Sequence, residues 1–445
     1  MKIEINNFGP VKHFVFDSTK DLHVIYGENN IGKSYAIGAV YLILKNCIEH
    51  LAKTKIEDRL NNYDPTVITE QVKKKLEQQS VASIEITEYL HSLMKQVLQD
   101  RLCEALTQSF QNSFSIITDN TQFIVSFPEY MFSVVFQKQS FVVRDVTVYK
   151  NYYVDDELNL KSSSELESIA ILIIEFRILP LLIKLLGSFR LDKHIPFNYY
   201  FLPSSRSGLY QGLSSLGSIF AKLSQLPVTR NEKVSLPSLS EMVSDYFLNL
   251  NAVKPTEINY ELLFLSQKLE NIIESDISYN SQTNSIQVFD RKAKLTLELK
   301  NVSSMVSEIA PIVLYMRNVI PVNLQDFDFY AIIFIEEPEA HLHPKVQIQL
   351  MEVFAELATK GVKVVMTTHS DFMLNKLTNL ILQDAIKADQ VASYHLVRGD
   401  GGSYDKGDMK ATNEGIEDYN FLDVAEQLYA ERMELLEKMN QAHAG

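Results

Sequence analysis

The sequence predicts an α/β fold with a mixed, largely parallel core sheet, an antiparallel β portion and helical insertions. Three observations carry this. A strand, a glycine-bearing loop and a helix follow one another within the first 50 residues. Apolar strands alternate with helices between 329 and 368, the pattern of a parallel sheet covered by helices. Residues 113–150 (FSII, FIVSF, FSVVF, SFVVRDVTVY) are rich in β-branched and aromatic side chains, as antiparallel strands are.

Taken in order, residues 1–26 alternate and then run apolar (IEINNFG, HFVF, LHVIY), so short strands lead into a buried one. Helical apolar spacing holds over 34–50, and the Lys-, Gln- and Glu-rich stretch 51–112 reads as helices without sustained heptads. After the β-rich segment, helical pattern returns at 163–189, followed by a short strand, NYYFLP, and the turn SSRSG at 204–208. Helices punctuated by Pro227, Pro237 and Pro255 cover 210–275. Strands are expected at 284–300, a helix at 306–320, a strand at 329–335, a helix at 344–360 and a strand at 362–368.

At 445 residues, 46% hydrophobic and 22% charged, the chain is of globular composition, which excludes a disordered or fibrous class. Forty-two Lys and Arg against 56 Asp and Glu leave a net charge of −14, so nucleic acid or anionic lipid is not attracted by the molecule as a whole. Cys47 and Cys103 have no metal-ligand neighbours in sequence and fit free thiols in a reducing cytoplasm. The N-terminus has no apolar signal core. The run 169–186, IAILIIEFRILPLLIKLL, approaches the length of a membrane span, but Glu175, Arg177, Pro180 and Lys184 favour a core or interface helix instead.

Three short stretches carry chemistry. The first is GENNIGKS, residues 27–34, which fits G-x-x-x-x-G-K-[ST] between a strand and a helix. Gly27 and Gly32 free the backbone N–H groups of Glu28, Asn29, Asn30 and Ile31 to curl around an anionic phosphate at a helix N-terminus. Lys33 would reach the β- and γ-phosphates of ATP, and the Ser34 hydroxyl would bind magnesium. The second is AIIFIEEPEAHLHP, residues 331–344, a buried strand ending in two carboxylates. Glu336 is placed to orient magnesium, directly or through water, and Glu337 to position or deprotonate the attacking water. The third is VKVVMTTHS, residues 362–370, a buried strand ending where His369 can meet the γ-phosphate or its water.

Taken together, GENNIGKS, IEEPEAHLHP and TTHS resemble the ABC-type ATPase heads of the OLD, SMC and RecF-like group, often described as AAA-family ATPases. The resemblance covers 1–50 and about 280–375. It implies a P-loop NTPase with ATP and Mg2+ as cofactors, Glu337 as catalytic base, His369 as switch residue, and EAHLHP, 339–344, as a loop communicating across a pair of heads. By the same analogy, NVSSMVSEIAP at 301–311 is the signature that completes a partner's nucleotide site, with Ser303 and Ser304 facing phosphate; a plain helix cap is the other reading. Met305 stands where relatives often carry glycine, which weakens the match because a side chain limits how closely the backbone approaches; Glu336 stands where many carry aspartate, which suits a slow enzyme. Arg206 in FLPSSRSGL is left with three readings: phosphate, a neighbouring subunit or a surface carboxylate. A zinc site at His341 and His343 is weaker than the explanation by the adjacent acidic strand end.

These expectations divide the chain into an N-terminal part of the head (1–50), an insertion (51–195), a helical part (196–280), a C-terminal part with signature, acid pair and histidine (281–380), and a helical tail (381–445). The 75 residues after Ser370 are too few for the nuclease domain of OLD proteins plus a tail. The resemblance therefore implies a homodimer or higher homo-oligomer of ATPase heads that regulates a separately encoded effector, a nuclease or toxin. That plan is similar to the PARIS and Septu ATPases of antiphage defence. A DNA-binding repair ATPase of SMC or RecF type and an ATP-stabilised scaffold are the alternatives.

Overall fold

The structure, a computed structural model, describes residues 1–53, 83–85, 87–111, 116–150, 153–155, 198–212, 239–283, 285–322, 331–416 and 429–433. The apolar helix expected at 169–186, the polar helices expected at 54–82 and much of the helical tail lie outside the described residues. In chain order the strands are β1 (Lys2–Phe8), β2 (Val11–Asp17), β3 (Leu22–Tyr26), β4 (Ser83–Glu85), β5 (Ile117–Ser126), β6 (Tyr130–Gln137), β7 (Ser140–Val148), β8 (Tyr153–Asp155), β9 (Asn198–Leu202), β10 (Ser275–Asn280), β11 (Ser285–Asp290), β12 (Leu295–Glu298), β13 (Ala331–Glu336), β14 (Val362–Thr368), β15 (Val391–Gly399) and β16 (Gly402–Asp405). The helices are α1 (Lys33–Cys47), α2 (Thr87–Val97), α3 (Glu104–Ser109), α4 (Glu241–Asn251), α5 (Tyr260–Ile272), α6 (Ser304–Leu314), α7 (Pro344–Thr359) and α8 (Asp371–Leu382).

Eleven strands form one sheet in the order β7-β6-β5-β1-β2-β16-β15-β3-β14-β13-β9. The half from β15 to β9 is parallel throughout, and the half from β7 to β2 is antiparallel. β16 joins them, antiparallel to β15 and parallel to β2. Parallel strands covered on both faces read as continuous apolar runs, and each residue of β13 and β14 is buried. Their alternation still decides which core each side chain enters. Ile332, Phe334 and Val365 join one cluster with α1 and the antiparallel strands; Ile333, Ile335, Val364 and Met366 join the other with α5 to α8. α1 is apolar nearly all round because it is enclosed, and Lys45 on it pairs with Glu241 and Asp245 of α4, both at 2.6 Å. Cys47 and Cys103 are both free and buried in the first cluster, where burial pushes the Cys103 thiol up to about 12.

Two expectations are corrected. The tail from 381 is not simply helical, because β15 lies in the middle of the sheet between β16 and β3. Its sequence, VASYHLVRG, mixes Ser393, His395 and Arg398 with apolar residues, so it lacks the uninterrupted hydrophobicity of β13 and β14. β10 likewise forms a strand inside the region expected to be helical up to 280, paired antiparallel with β11 in a separate three-stranded sheet. Among the described residues no helix is long and apolar enough to cross a membrane.

The end of the core opposite the strand termini near residue 27 is closed by a polar knot. Lys363 is fully buried, pairs with Asp21 at 3.2 Å and donates to the carbonyls of Ser18 and Lys20. His23 stacks on Phe16 with ring centroids 4.4 Å apart, and its Nε2 donates to the Lys20 carbonyl at 3.1 Å. Burial first, then the Lys363 charge, pull His23 down to about 3. The unfolded chain titrates this group near ~6.5, so below that pH it binds a proton that the native state refuses. We expect the stability contribution of neutral His23 to be complete above about 6.5 and to decline as pH falls toward 3. Urea denaturation across that range should show a shallower acid slope for His23→Phe than for the wild type; identical slopes would contradict this.

Candidate functional site

Parallel register brings the three chemical stretches to one edge of the sheet. Thr368 of β14 pairs with Tyr26 of β3, immediately before residue 27, and Glu336 of β13 pairs with Thr367. The loop 27–34 then turns into α1. Gly32 caps the helix at φ 103°, a left-handed conformation in which a side chain would also meet Pro10 Cγ at 2.9 Å. At Gly27 a Cβ would lie 2.5 Å from the Leu396 carbonyl oxygen, so the loop is pressed against β15. Asn30 is left-handed at φ 59°, and its carbonyl accepts from Arg398 at 2.9 Å. Lys33 is buried with its ammonium donating to the carbonyls of Gly27 at 2.8 Å and Glu28 at 2.7 Å. Burial lowers its pKa, and the charges of Glu337, Glu339 and Glu28 oppose that shift. The cation is thus held inside the loop that would embrace a phosphate.

Glu336 is 8% exposed, and its Oε2 accepts the Ser204 N–H at 3.1 Å. The Ser34 hydroxyl lies near this carboxylate and acts on it. Burial raises the Glu336 pKa against the Ser34 hydroxyl and the Ser204 N–H, with the Glu337 charge adding to the rise. A hydroxyl and a carboxylate side by side are the hard oxygen donors that magnesium takes together with phosphate and water. The donor set therefore fits a magnesium nucleotide. Among the described residues no group of three or more His, Cys, Asp or Glu side chains could hold a metal by itself.

Glu337 is bent away from the strand. Its φ is 41°, a strained value for a residue with a side chain, and its N–H donates to both the carbonyl and the hydroxyl of Thr367, each at 3.1 Å. The turn that follows runs through Ala340 and Leu342, whose N–H groups donate to the carbonyls of Glu337 and Glu339. His343 then caps α7, its Nδ1 accepting the Lys345 N–H at 3.2 Å with Pro344 at the first helical position. His341 sits at φ 61° in the same turn. His369, 44% exposed, lies at the end of β14 with Nδ1 3.2 Å from Glu339 Oε1.

Arg206 holds a carboxylate, as one of its three readings has it, but a buried one. Its side chain is fully buried, its Nε lies 3.3 Å from Glu308 Oε2, and its guanidinium donates to the carbonyls of Pro203, Glu336 and Glu308. A longer contact of 3.5 Å reaches the Glu337 carbonyl. Glu308, 2% exposed, also accepts from the Ser207 hydroxyl at 2.7 Å. This cation therefore fixes the backbone of both acids and ties it to α6. α6 begins with the exposed pair Ser303 and Ser304; Ser303 caps it by accepting the Val306 N–H, and Met305 is half-buried. Within one chain, then, the loop 27–34, the acid pair and His369 gather at one edge, and α6 is tied to the acid pair through Glu308 and Arg206.

Sequence reasoning missed three participants. Glu308 and Arg398 have no local pattern to mark them. Glu339 was within reach, being a third acid in the same short stretch, and it is the buried anchor of the Thr368–His369 turn.

Residues 204–374 match the AAA ATPase domain family. That span holds Arg206, Ser303, Ser304, Glu308, the acid pair and His369, while the loop 27–34 lies before it and is joined to it by the sheet. Among solved structures, an SMC head bound to the C-terminal winged-helix domain of ScpA is similar with TM-score 0.37 and 11% identity, over 91% of this chain and 96% of that one. The SMC head domain of Thermotoga maritima gives 0.34 and 10%, over 91% and 97%. An SMC head with an extended coiled coil from Pyrococcus furiosus, bound to the C-terminal domain of ScpA, gives 0.35 and 11%, over 97% and 98%. A comparison with curated proteins returned no match.

Removing one partner of a buried ion pair leaves the other charge stranded, at a cost of about 3–5 kcal/mol. Arg206→Met should therefore destabilise the chain by about that amount in urea denaturation, and the double variant Arg206→Met/Glu308→Met should recover much of it. Additive losses in the double variant would contradict the pairing.

Proposed function

We propose that the chain is an ATP-binding and ATP-hydrolysing head of ABC type. The observation that carries this reading is that the Ser34 hydroxyl comes close enough to Glu336 to act on its carboxylate, which brings a phosphate-loop hydroxyl to a strand-end acid 302 residues away. Backbone N–H groups of 27–32 and the N-terminus of α1 bind the phosphates, and the Lys33 ammonium exchanges the carbonyls of Gly27 and Glu28 for phosphate oxygens. Ser34 and Glu336 would hold a magnesium ion, which would supply charge neutralisation at the phosphates of ATP. Glu337 positions the attacking water and accepts its proton, and His369 faces the same terminal phosphate.

The exposed N-terminus of α6, with Ser303 and Ser304, is offered to the nucleotide of a second head in a homodimer or larger assembly. Arg206 supports this division of labour, because it links α6 through Glu308 to the carbonyls of Glu336 and Glu337. Pairing of heads and hydrolysis would then report on one another. We propose further that this cycle regulates a separately encoded effector, a nuclease or toxin, in antiphage defence in the cytoplasm. The net charge of −14 favours a protein partner over a DNA clamp of SMC or RecF type. DNA binding that weakens steeply with salt would reverse that preference.

Lys33→Ala should abolish ATP binding in titration calorimetry, and retained affinity would displace the site. Glu337→Gln should bind ATP as the wild type does and lose at least about 100-fold in turnover, accumulating the paired, ATP-bound form. Wild-type turnover in that variant would remove Glu337 from its role.

A further inference from the structure

Glu339 is 3% exposed, and its two oxygens have unequal surroundings. Oε1 accepts the Thr368 hydroxyl at 2.7 Å and the His369 N–H at 2.8 Å, and lies 3.2 Å from His369 Nδ1. Oε2 is buried and has no hydrogen-bond partner among the described residues. The turn is braced from outside as well: Ser370 N–H donates to Thr368 Oγ1 at 3.0 Å, and the Ser370 hydroxyl donates to Gln347 Oε1 at 2.5 Å. Gln347 in turn donates to the Leu342 carbonyl at 2.9 Å, so the strand end after Thr368 is laced to the turn after Glu337. Glu339 and His369 both line a cavity of about 360 Å3 together with His341, Leu342 and Phe372.

An ionised carboxylate only accepts, so a neutral imidazole whose Nδ1 lies 3.2 Å from it avoids lone-pair repulsion by carrying its hydrogen on that nitrogen. The opposite nitrogen of the neutral ring then keeps its lone pair. We propose that Glu339 is a positioning residue that fixes His369 with Nδ1 protonated, leaving Nε2 as the free nitrogen for the water or phosphate at the terminal position. This rests on the nucleotide reading for its chemistry but not for its geometry. The same carboxylate acts electrostatically on Lys33, so one buried charge faces both the phosphate-loop cation and the histidine. An acid that orients a histidine from behind is a recurring arrangement, in which the acid holds the ring and its tautomer without itself meeting substrate.

Nitrogen-15 spectra of the full chain labelled at histidine, recorded at mildly alkaline pH, separate the two tautomers. His369→Gln, a change at a half-exposed side chain, identifies the His369 signals. The wild type should show His369 with Nδ1 protonated and Nε2 bare, and Glu339→Ala should shift it toward the Nε2-protonated form. A wild-type His369 protonated at Nε2, or a tautomer indifferent to Glu339, overturns the proposal without any nucleotide being present. In turnover assays, Glu339→Ala should keep ATP affinity within about threefold while kcat falls about tenfold or more, with Glu339→Gln recovering part of the loss because its amide oxygen still accepts. Equal loss in affinity and kcat would reduce Glu339 to a structural staple. If the wild type bound no ATP, the nucleotide reading would fail while the tautomer result still decided the role of Glu339.

Discussion

Parallel pairing of β3, β14 and β13 in register is the constraint on which the site depends. Each strand is short, wholly or nearly buried, and ends at the same edge. Because side chains alternate between two cores, a slip of one residue would send Ile333 and Ile335 into the wrong face and Phe334 into the other. The register that packs the cores therefore also sets Glu336 against Thr367 and Thr368 against Tyr26. Chemistry at the strand ends is a by-product of packing within them, and a shift in one cannot leave the other intact.

Polar groups then refine what the register establishes. Arg206 satisfies the carbonyls of Glu336 and Pro203 at a place where the chain leaves the sheet and can no longer pair with a strand. Its ion pair with Glu308 carries that restraint to α6. Glu339 does the corresponding work one strand away, receiving the hydroxyl of Thr368 and the N–H of His369. Buried charges of this kind are poor sources of net stability and good sources of fixed geometry, since only one arrangement satisfies them. The left-handed backbone at Glu337 is tolerable in such surroundings, with its N–H and carbonyl both engaged.

What the sequence made legible was local. GENNIGKS declares its own geometry because glycine spacing, lysine and serine act within eight residues, and VKVVMTT declares a buried strand by its continuous hydrophobicity. Arg206 was visible but not interpretable. Its partners lie 102 and 130 residues away, and nothing in SSRSG distinguishes a buried guanidinium from an exposed one. β15 was missed for a different reason, since Ser393, His395 and Arg398 break the apolar run that tertiary pairing with β3 supplies with partners. The two halves of the sheet read as separate β regions in sequence and are one surface in space, because β16, four residues long, bridges them.

The central claim is that a triphosphate binds where these strand ends meet. The most direct measurement is a crystal structure of the full chain with magnesium and a non-hydrolysable ATP analogue. The account predicts phosphates wrapped by residues 27–34, the metal ion on Ser34 and Glu336, and the terminal phosphorus facing Glu337 and His369. A nucleotide seated elsewhere, or an acid pair turned away from it, would contradict the account.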